Sequence, residues 1–338
     1  VLLTLMGKAG LVSSTGLKNI RKFAIVGILV LAALVTPPDV ITQIILFVVV
    51  SQVNHRFLGG NNLNTIFAGN AYIGVAAIGM SILIITGNID VSVGALIGVL
   101  ATICGTLAVS GYPIWFAWTA PILVGIAVNS LVGIIVAYAG IPSIVVTLGM
   151  MSILRGGLIS VTGGDWITDM PEGFFLAQQD FMGIRVPLLA LIFFTILMFY
   201  IMSNTTWGRS LYAIGGNPEA ARTSGIDLKK GVVIAFAVHG MFVGLSTILF
   251  ATQLNIIQST VPPNLELTVI TASVIGGVSI MGGTGTVIGS SLATILFAAI
   301  GSSLIFIGVS AYWLRAIMGI LILCTVLADM ARRRRVVS

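Results

Sequence analysis

Long apolar runs alternate along the chain with short polar interruptions rich in glycine, asparagine, serine and proline. The runs are continuous, as at 232–249 and 317–327. They lack the polar–apolar alternation over about ten residues that a membrane β-strand needs. An unbroken apolar run in lipid satisfies its own backbone hydrogen bonds as a helix, and one crossing takes about 20 residues. The pattern predicts an all-α polytopic membrane protein with ten spans, at 39–55, 64–86, 91–110, 114–138, 142–162, 187–203, 231–252, 265–281, 286–307 and 311–330. An even number puts both termini on one side.

The segment 23–36 is apolar but short, and Pro37-Pro38 follows it. Joined to 39–53 it would make a helix of about 46 Å, too long for a hydrocarbon core of about 30 Å. It reads as an interfacial or partly inserted helix, with the proline pair turning the chain into the first span. The organisation is then a cytoplasmic N-terminal segment 1–38, a membrane domain 39–331 and a basic tail 332–338. Two long polar stretches fall on opposite sides. One, 163–185, carries Asp165, Asp169, Glu172 and Asp180 and is expected outside; the other, 204–230, is expected in the cytoplasm. A faint repeat links 85–98 (ITGNIDVSVGALIG) with 281–294 (MGGTGTVIGSSLAT). Each is a span, a Gly-rich polar break and a second span rich in small residues, a pairing that points to a pathway between two repeats.

Composition agrees with the pattern. The chain is 57% hydrophobic and 8% charged, with mean hydropathy +1.13; soluble domains carry about 25% charged residues. The 40 glycines read as close helix packing, with small-xxx-small spacings at Gly94/Gly98 and Gly240/Gly244. Cys104 and Cys324 have no metal spacing and read as packing residues. Residues 1–20 show no signal-cleavage pattern. Twelve of the 16 Lys and Arg lie in three clusters: Lys8, Lys18, Arg21 and Lys22; Arg209, Arg222, Lys229 and Lys230; and 332–335. The positive-inside rule puts all three in the cytoplasm. Because the clusters flank spans, they do not call for a nucleic-acid partner.

Ionisable groups near spans need explanation, since each costs a few kcal/mol (about 2.5–3.5) at the membrane centre. Asp90 could bind a cation, relay a proton or cap the following helix; capping is the simplest reading. Arg155 reads as snorkelling outward, with a pore-lining or helix-pairing role as the alternative. His239 reads as a hydrogen-bonded packing residue rather than a proton shuttle. Glu266 reads as a carboxylate at a helix start, and Arg315 as an interfacial anchor beside Tyr312 and Trp313. No nucleophile, metal or phosphate-loop motif is present, so the chain is not expected to be an enzyme or to hold a cofactor or metal. If ATP is used, another subunit must bind it.

The stretch 207–230 (WGRSLYAIGGNPEAARTSGIDLKK) is the most informative polar segment. Its 215–218 run signals a turn. After it, Asn217 as N-cap, Pro218 at N1 and Glu219 in the first turn predict a short helix ended by Gly225. A capped helix between spans suits the transmission of force from a cytoplasmic partner, and it would serve equally as an ordered loop.

Taken together, 86–94 (TGNIDVSVG), 140–149 (GIPSIVVTLG), Arg155-Gly156, 212–222 (YAIGGNPEAAR) with Gly225-Ile226, and 274–285 (VIGGVSIMGGTG) resemble the ribose-type permeases of bacterial ABC sugar importers. The likeness spans about 56–329. It implies a homo- or heterodimeric inner-membrane unit working with a cytoplasmic ATPase, which binds ATP and magnesium, and with a periplasmic or lipid-tethered binding protein. It also implies ATPase-coupling roles for Gly216, Asn217, Pro218, Glu219, Ala221 and Arg222. Within the family, 162–167 (TGGDWI) with Pro171, and Asn88 where glycine is commoner, resemble the branch that handles autoinducer 2 and rhamnose. Candidate path residues are Asn88, Asp90, Ser92, Asn129, Thr147, Gln253 and Asn255, all polar groups in or beside spans. The expected activity is alternating-access import of a sugar-like molecule. A secondary transporter or channel, which would need no ATPase, is the alternative; an intramembrane enzyme would need paired catalytic groups that are not visible.

Overall fold

The computed structural model describes residues 55–260 and 262–306, together with 48, 51, 313, 316, 319, 320, 323 and 327. After a 3-10 turn at His55–Leu58 come helices α1 (Gly60–Phe67), α2 (Ala71–Ile85), α3 (Val93–Val109), α4 (Ile114–Ala139) and α5 (Ser143–Thr162). Strand β1 (Trp166–Ile167), a 3-10 turn (Leu176–Gln178), and strands β2 (Asp180–Phe181) and β3 (Ile184–Arg185) follow. Then come α6 (Val186–Asn204), α7 (Thr206–Gly216), α8 (Pro218–Thr223), α9 (Leu228–Ala251), β4 (Ile257–Gln258), α10 (Leu265–Ile275) and α11 (Val287–Phe306). Among the described residues, six helical stretches are long and apolar enough to cross a membrane: Gly60–Ile85, α4, α5, α6, α9 and α11.

Eight of the ten expected spans coincide with helices, with two corrections. The span expected at 64–86 is interrupted at 68–70. There the Asn64 carbonyl accepts from both Ala68 and Gly69 N–H at 2.8 and 3.1 Å, and Asn70 Nδ2 donates to the Thr65 carbonyl at 2.9 Å. The span expected at 265–281 stops at Ile275 after 11 residues. Gly277, at φ 90°, turns the chain, and Gly276 beside it lies so close to the Ser290 backbone that a Cβ there would collide with its N–H. Thus α10 spans about 16 Å and α3 about 25 Å, both shorter than a hydrocarbon core of about 30 Å. The expected spans 39–55 and 311–330 fall almost wholly outside the described residues. The segment 23–36, the terminal basic clusters, Arg315 and Cys324 also lie outside them.

Burial explains why α2 carries no polar face. Every residue of α2 except Tyr72 is buried, and α6, α7, α9, α10 and α11 all pack against it. A helix apolar all round belongs at a core. Buried hydroxyls tie it to its neighbours: Ser81 to Ser290 at 2.6 Å, Ser273 to the Ala77 carbonyl at 3.1 Å and Ser246 to the Tyr72 carbonyl at 2.7 Å. Such interhelical bonds contribute about 0.6 kcal/mol each. The second organiser is α9, which lies closest to α4. Gly240 faces Gly125, Gly244 faces Pro121–Ile122, and the Phe236 side chain fills the space left by Gly133. The expected Gly240/Gly244 spacing therefore serves close packing.

The polar stretch after α5 folds over the far end of α9. Strand β1 pairs antiparallel with β4, Trp166 opposite Gln258. The Ala177 N–H donates to Thr252 Oγ1 at 3.1 Å. Strands β2 and β3 form a hairpin closed by Met182 and Gly183 at φ 54° and 79°, the left-handed pair of a two-residue turn.

Candidate functional site: two helix breaks joined at one end

Between α2 and α3 the backbone is irregular from Thr86 to Ser92. Non-helical backbone at membrane depth persists only where protein supplies its hydrogen bonds or a cavity is lined. Here the N-terminal hydroxyls of α5 supply them. The Ile89 N–H donates to Ser143 Oγ and the Val91 N–H to Thr147 Oγ1, each at 3.2 Å. Asn88 Nδ2 donates back to Thr86 Oγ1 at 3.0 Å. Thr147 was legible as a polar group in a span; the part played by Ser143 was not.

Asp90 does not cap α3. The N-cap is Ser92, and Asp90 Oδ1 accepts from the Ser92 N–H at 2.7 Å and from Ser92 Oγ at 2.5 Å. Its other oxygen lies 3.1 Å from His239 Nε2, and both side chains are fully buried. The capping reading is thereby replaced by a buried pair between the break and α9, 149 residues apart in sequence. His239 is a hydrogen-bonded residue of the core, as expected. It stands about 16 Å along α9 from Leu228, so the break dips deep into the bundle. Asn129 of α4 lies beside Gly240, and both of its side-chain polar atoms are buried without a partner among the described residues.

The second break, between α10 and α11, meets the first directly. The Gly283 N–H donates to the Ile85 carbonyl at 2.8 Å. A Cβ on Gly282 would stand 2.9 Å from the Gly87 nitrogen and 3.0 Å from the Gly215 carbonyl oxygen. The end of α7 is wedged into the same point, since a Cβ on Gly215 would collide with the Ile85 carbonyl and stand 2.7 Å from the Gly283 nitrogen. The turn expected at 215–218 is therefore corrected: both glycines are helical, and the chain turns only at Asn217. Helix continuity brings the bare glycine backbone of α7 against both breaks. Tyr212 adds a further tie, its hydroxyl donating to the Gly285 carbonyl at 2.9 Å; burial pushes its phenol pKa up.

Beyond the joint, α8 forms as the residues predict. Asn217 Oδ1 accepts from the Ala220 N–H at 3.0 Å, Pro218 opens the helix, and Glu219 lies in its first turn. Gly225 follows at φ 84°. Pro218, Glu219 and Arg222 are exposed, whereas Ala221 is buried and anchors the helix. Asp227 caps α9, and hydrogen bonds from the Lys230 N–H and ammonium hold its carboxyl below the usual range. Replacing Asn217 with alanine removes the cap and should cost about 1 kcal/mol of local stability. Faster hydrogen exchange at Ala220–Thr223, with the α9 amides unchanged, is the expected signature.

The remaining expected path residues are elsewhere. Gln253 and Asn255 follow α9 at its other end, which lies about 18 Å along the axis from His239. There Gln178 Nε2 donates to the Gln253 carbonyl at 3.2 Å and lies 3.3 Å from Asn255 Oδ1. A cavity of about 640 Å³ opens beside them. The seven candidates thus divide between the joint and the strand end, with Asn129 lying between. Arg155 pairs with Glu266 at 3.6 Å, so the helix-pairing alternative holds. Gly94 makes room for that carboxylate, because a Cβ there would collide with Glu266 Oε2.

A family model described as "Branched-chain amino acid transport system / permease component" matches residues 61–326. A second, "Sec-independent protein translocase protein (TatC)", matches residues 1–48. Among curated proteins, the Autoinducer 2 import system permease protein LsrC of Salmonella typhi is 33% identical over 285 residues, covering 84% of this chain and 82% of the relative. The protein of the same name from Escherichia coli is 32% identical over 287 residues, covering 85% and 84%. That from Photorhabdus luminescens is 32% identical over 285 residues, covering 84% and 86%. No solved structure matches the chain.

Proposed function

Since the chain belongs to the family of transport-system permease components and is a multi-pass membrane protein, we propose that it is the translocation subunit of an importer for a sugar-like molecule of the autoinducer 2, rhamnose or ribose class. The substrate class rests on the relatives, which are autoinducer 2 import permeases similar over more than four-fifths of both chains. The observation that carries the mechanism is the joint. The helix pair α7–α8 touches both breaks at once through Gly215, so displacing α8 moves the two halves together.

In this reading α8 faces the cytoplasm, as the cationic Arg209, Arg222, Lys229 and Lys230 around it require. The strand end, with Asp165, Asp169, Glu172 and Asp180, faces a periplasmic or lipid-tethered binding protein. Ten spans place both termini inside, and the membrane is the bacterial inner membrane. ATP and magnesium belong to a partner ATPase seated on the exposed Glu219 and Arg222. A second permease subunit, identical or related, covers α5, in which only Ser143, Thr147 and Leu158 are buried.

Glu219→Ala combined with Arg222→Ala should abolish ATP-driven uptake, at least tenfold, and strip the ATPase from the purified complex, with membrane insertion intact. Full uptake by the double variant would sink the coupling assignment. Uptake that persists without any ATPase would favour a secondary transporter or channel.

A further inference from the structure

We propose that the cavity at the strand end is a receiving site for a neutral, polyhydroxylated small molecule; this rests on the importer reading above. The cavity holds about 640 Å³, within the range of about 300–1,000 Å³ usual for small-ligand sites. Beside Thr65 and Arg185, its polar wall carries five carboxamides drawn from three separate parts of the chain. Asn61, Asn64 and Asn70 come from α1 and its following turn, Gln178 from the 3-10 turn, and Gln253 from beyond α9. Among the described residues on the wall Arg185 is the one charged group, and Asp180 stands 3.8 Å from it.

A carboxamide offers two N–H donors and a carbonyl acceptor without net charge. A sugar hydroxyl both donates and accepts, so a wall of amides matches it group for group. An anion would instead need unbalanced cations, and a cation would need carboxylates, and no carboxylate is among the described residues that line the cavity. Two of the amides are already held in place. Asn70 Nδ2 is held by the Thr65 carbonyl, and Gln178 Nε2 by the Gln253 carbonyl; their carbonyl oxygens remain as acceptors. Gln253 Nε2 is buried with no hydrogen-bond partner among the described residues. A buried donor left unpaired costs about 1–3 kcal/mol, and a ligand hydroxyl in the cavity would satisfy it. Asparagine is also a poor helix former, yet Asn61, Asn62 and Asn64 crowd the eight residues of α1. The cavity gives two of them a use that the fold alone does not.

The test uses the full complex with its ATPase and binding protein in proteoliposomes. Radiolabelled autoinducer 2, L-rhamnose and D-ribose serve as probes, and both substrate uptake and ATP hydrolysis are followed. For Gln253→Leu and Asn64→Ala we expect the substrate moved per ATP to fall about tenfold. The half-saturating concentration of loaded binding protein should stay unchanged. Asn64 is exposed, so its variant keeps the test valid should Gln253→Leu fold poorly. An unchanged ratio in both variants overturns the cavity assignment alone. A defect cured by saturating binding protein assigns these residues to docking and also overturns it. A wild-type complex that moves none of the probes with ATP overturns the importer reading on which the proposal rests.

Discussion

Replacing Asp90 with alanine should destabilise the protein by at least about 1–3 kcal/mol, the cost of leaving a buried polar group without its partner. Asp90 accepts from the Ser92 N–H and Ser92 Oγ, stands 3.1 Å from His239 Nε2, and is fully buried. Alanine leaves all three without this partner. His239 suffers most, because its Nδ1 already has no partner among the described residues. Removing both members with apolar residues of similar size, as in Asp90→Val with His239→Leu, should recover part of the loss, since no orphan remains on the histidine side. Thermal unfolding of the purified protein in detergent would measure this as a double-mutant cycle. A single-variant loss below about 1 kcal/mol would show that the pair is not a structural tie of the kind argued here.

The second large effect separates two adjacent glycines. A Cβ on Gly215 meets the Ile85 carbonyl and the Gly283 nitrogen, both backbone atoms. Neither can yield without moving the end of α2 or the second break. A Cβ on Gly216 meets nothing nearer than Gly283 Cα at 3.8 Å, an ordinary contact. Gly215→Ala should therefore cost about 1–3 kcal/mol by overpacking and reduce uptake at least tenfold. Gly216→Ala should be neutral or stabilising, by up to about 1 kcal/mol, because alanine is the better helix residue. Equal stability losses for the two would remove the argument that the breaks and α7 form a joint. Hydrogen exchange at Ile85–Asn88 would report where the strain goes.

What the sequence made legible was local. Asn217, Pro218 and Glu219 announce α8 because capping depends on neighbours within three residues, and the structure agrees. Span positions were legible because hydropathy accumulates over a window. Depth was not, because hydropathy measures the length of a run and not where neighbouring backbone cuts it short. That is why 265–281 became an 11-residue helix. Asp90 was misread for the same kind of reason. Capping is a local motif, whereas its actual partner stands 149 residues away. Gly215 and Gly216 looked like a turn because glycine serves both turns and close approach, and only the neighbouring backbone decides between them. The repeat between 85–98 and 281–294 identified two segments that prove to be in contact, without indicating that α7 would meet them.

The uniform apolarity of α2 bears on how the chain is made. Insertion machinery sees a stretch that partitions into lipid by itself, although nearly every residue of α2 ends enclosed by protein. Of the helices that enclose it, α9, α10 and α11 are synthesised well after it. Until residue 239 emerges from the ribosome, Asp90 has no histidine, and until residue 283 does, the carbonyl of Ile85 has no donor. Until then α5 covers the break through Ser143 and Thr147, while Asp90 and the Ile85 carbonyl lack their later partners. The last third of the chain thus acts as the seal on the first.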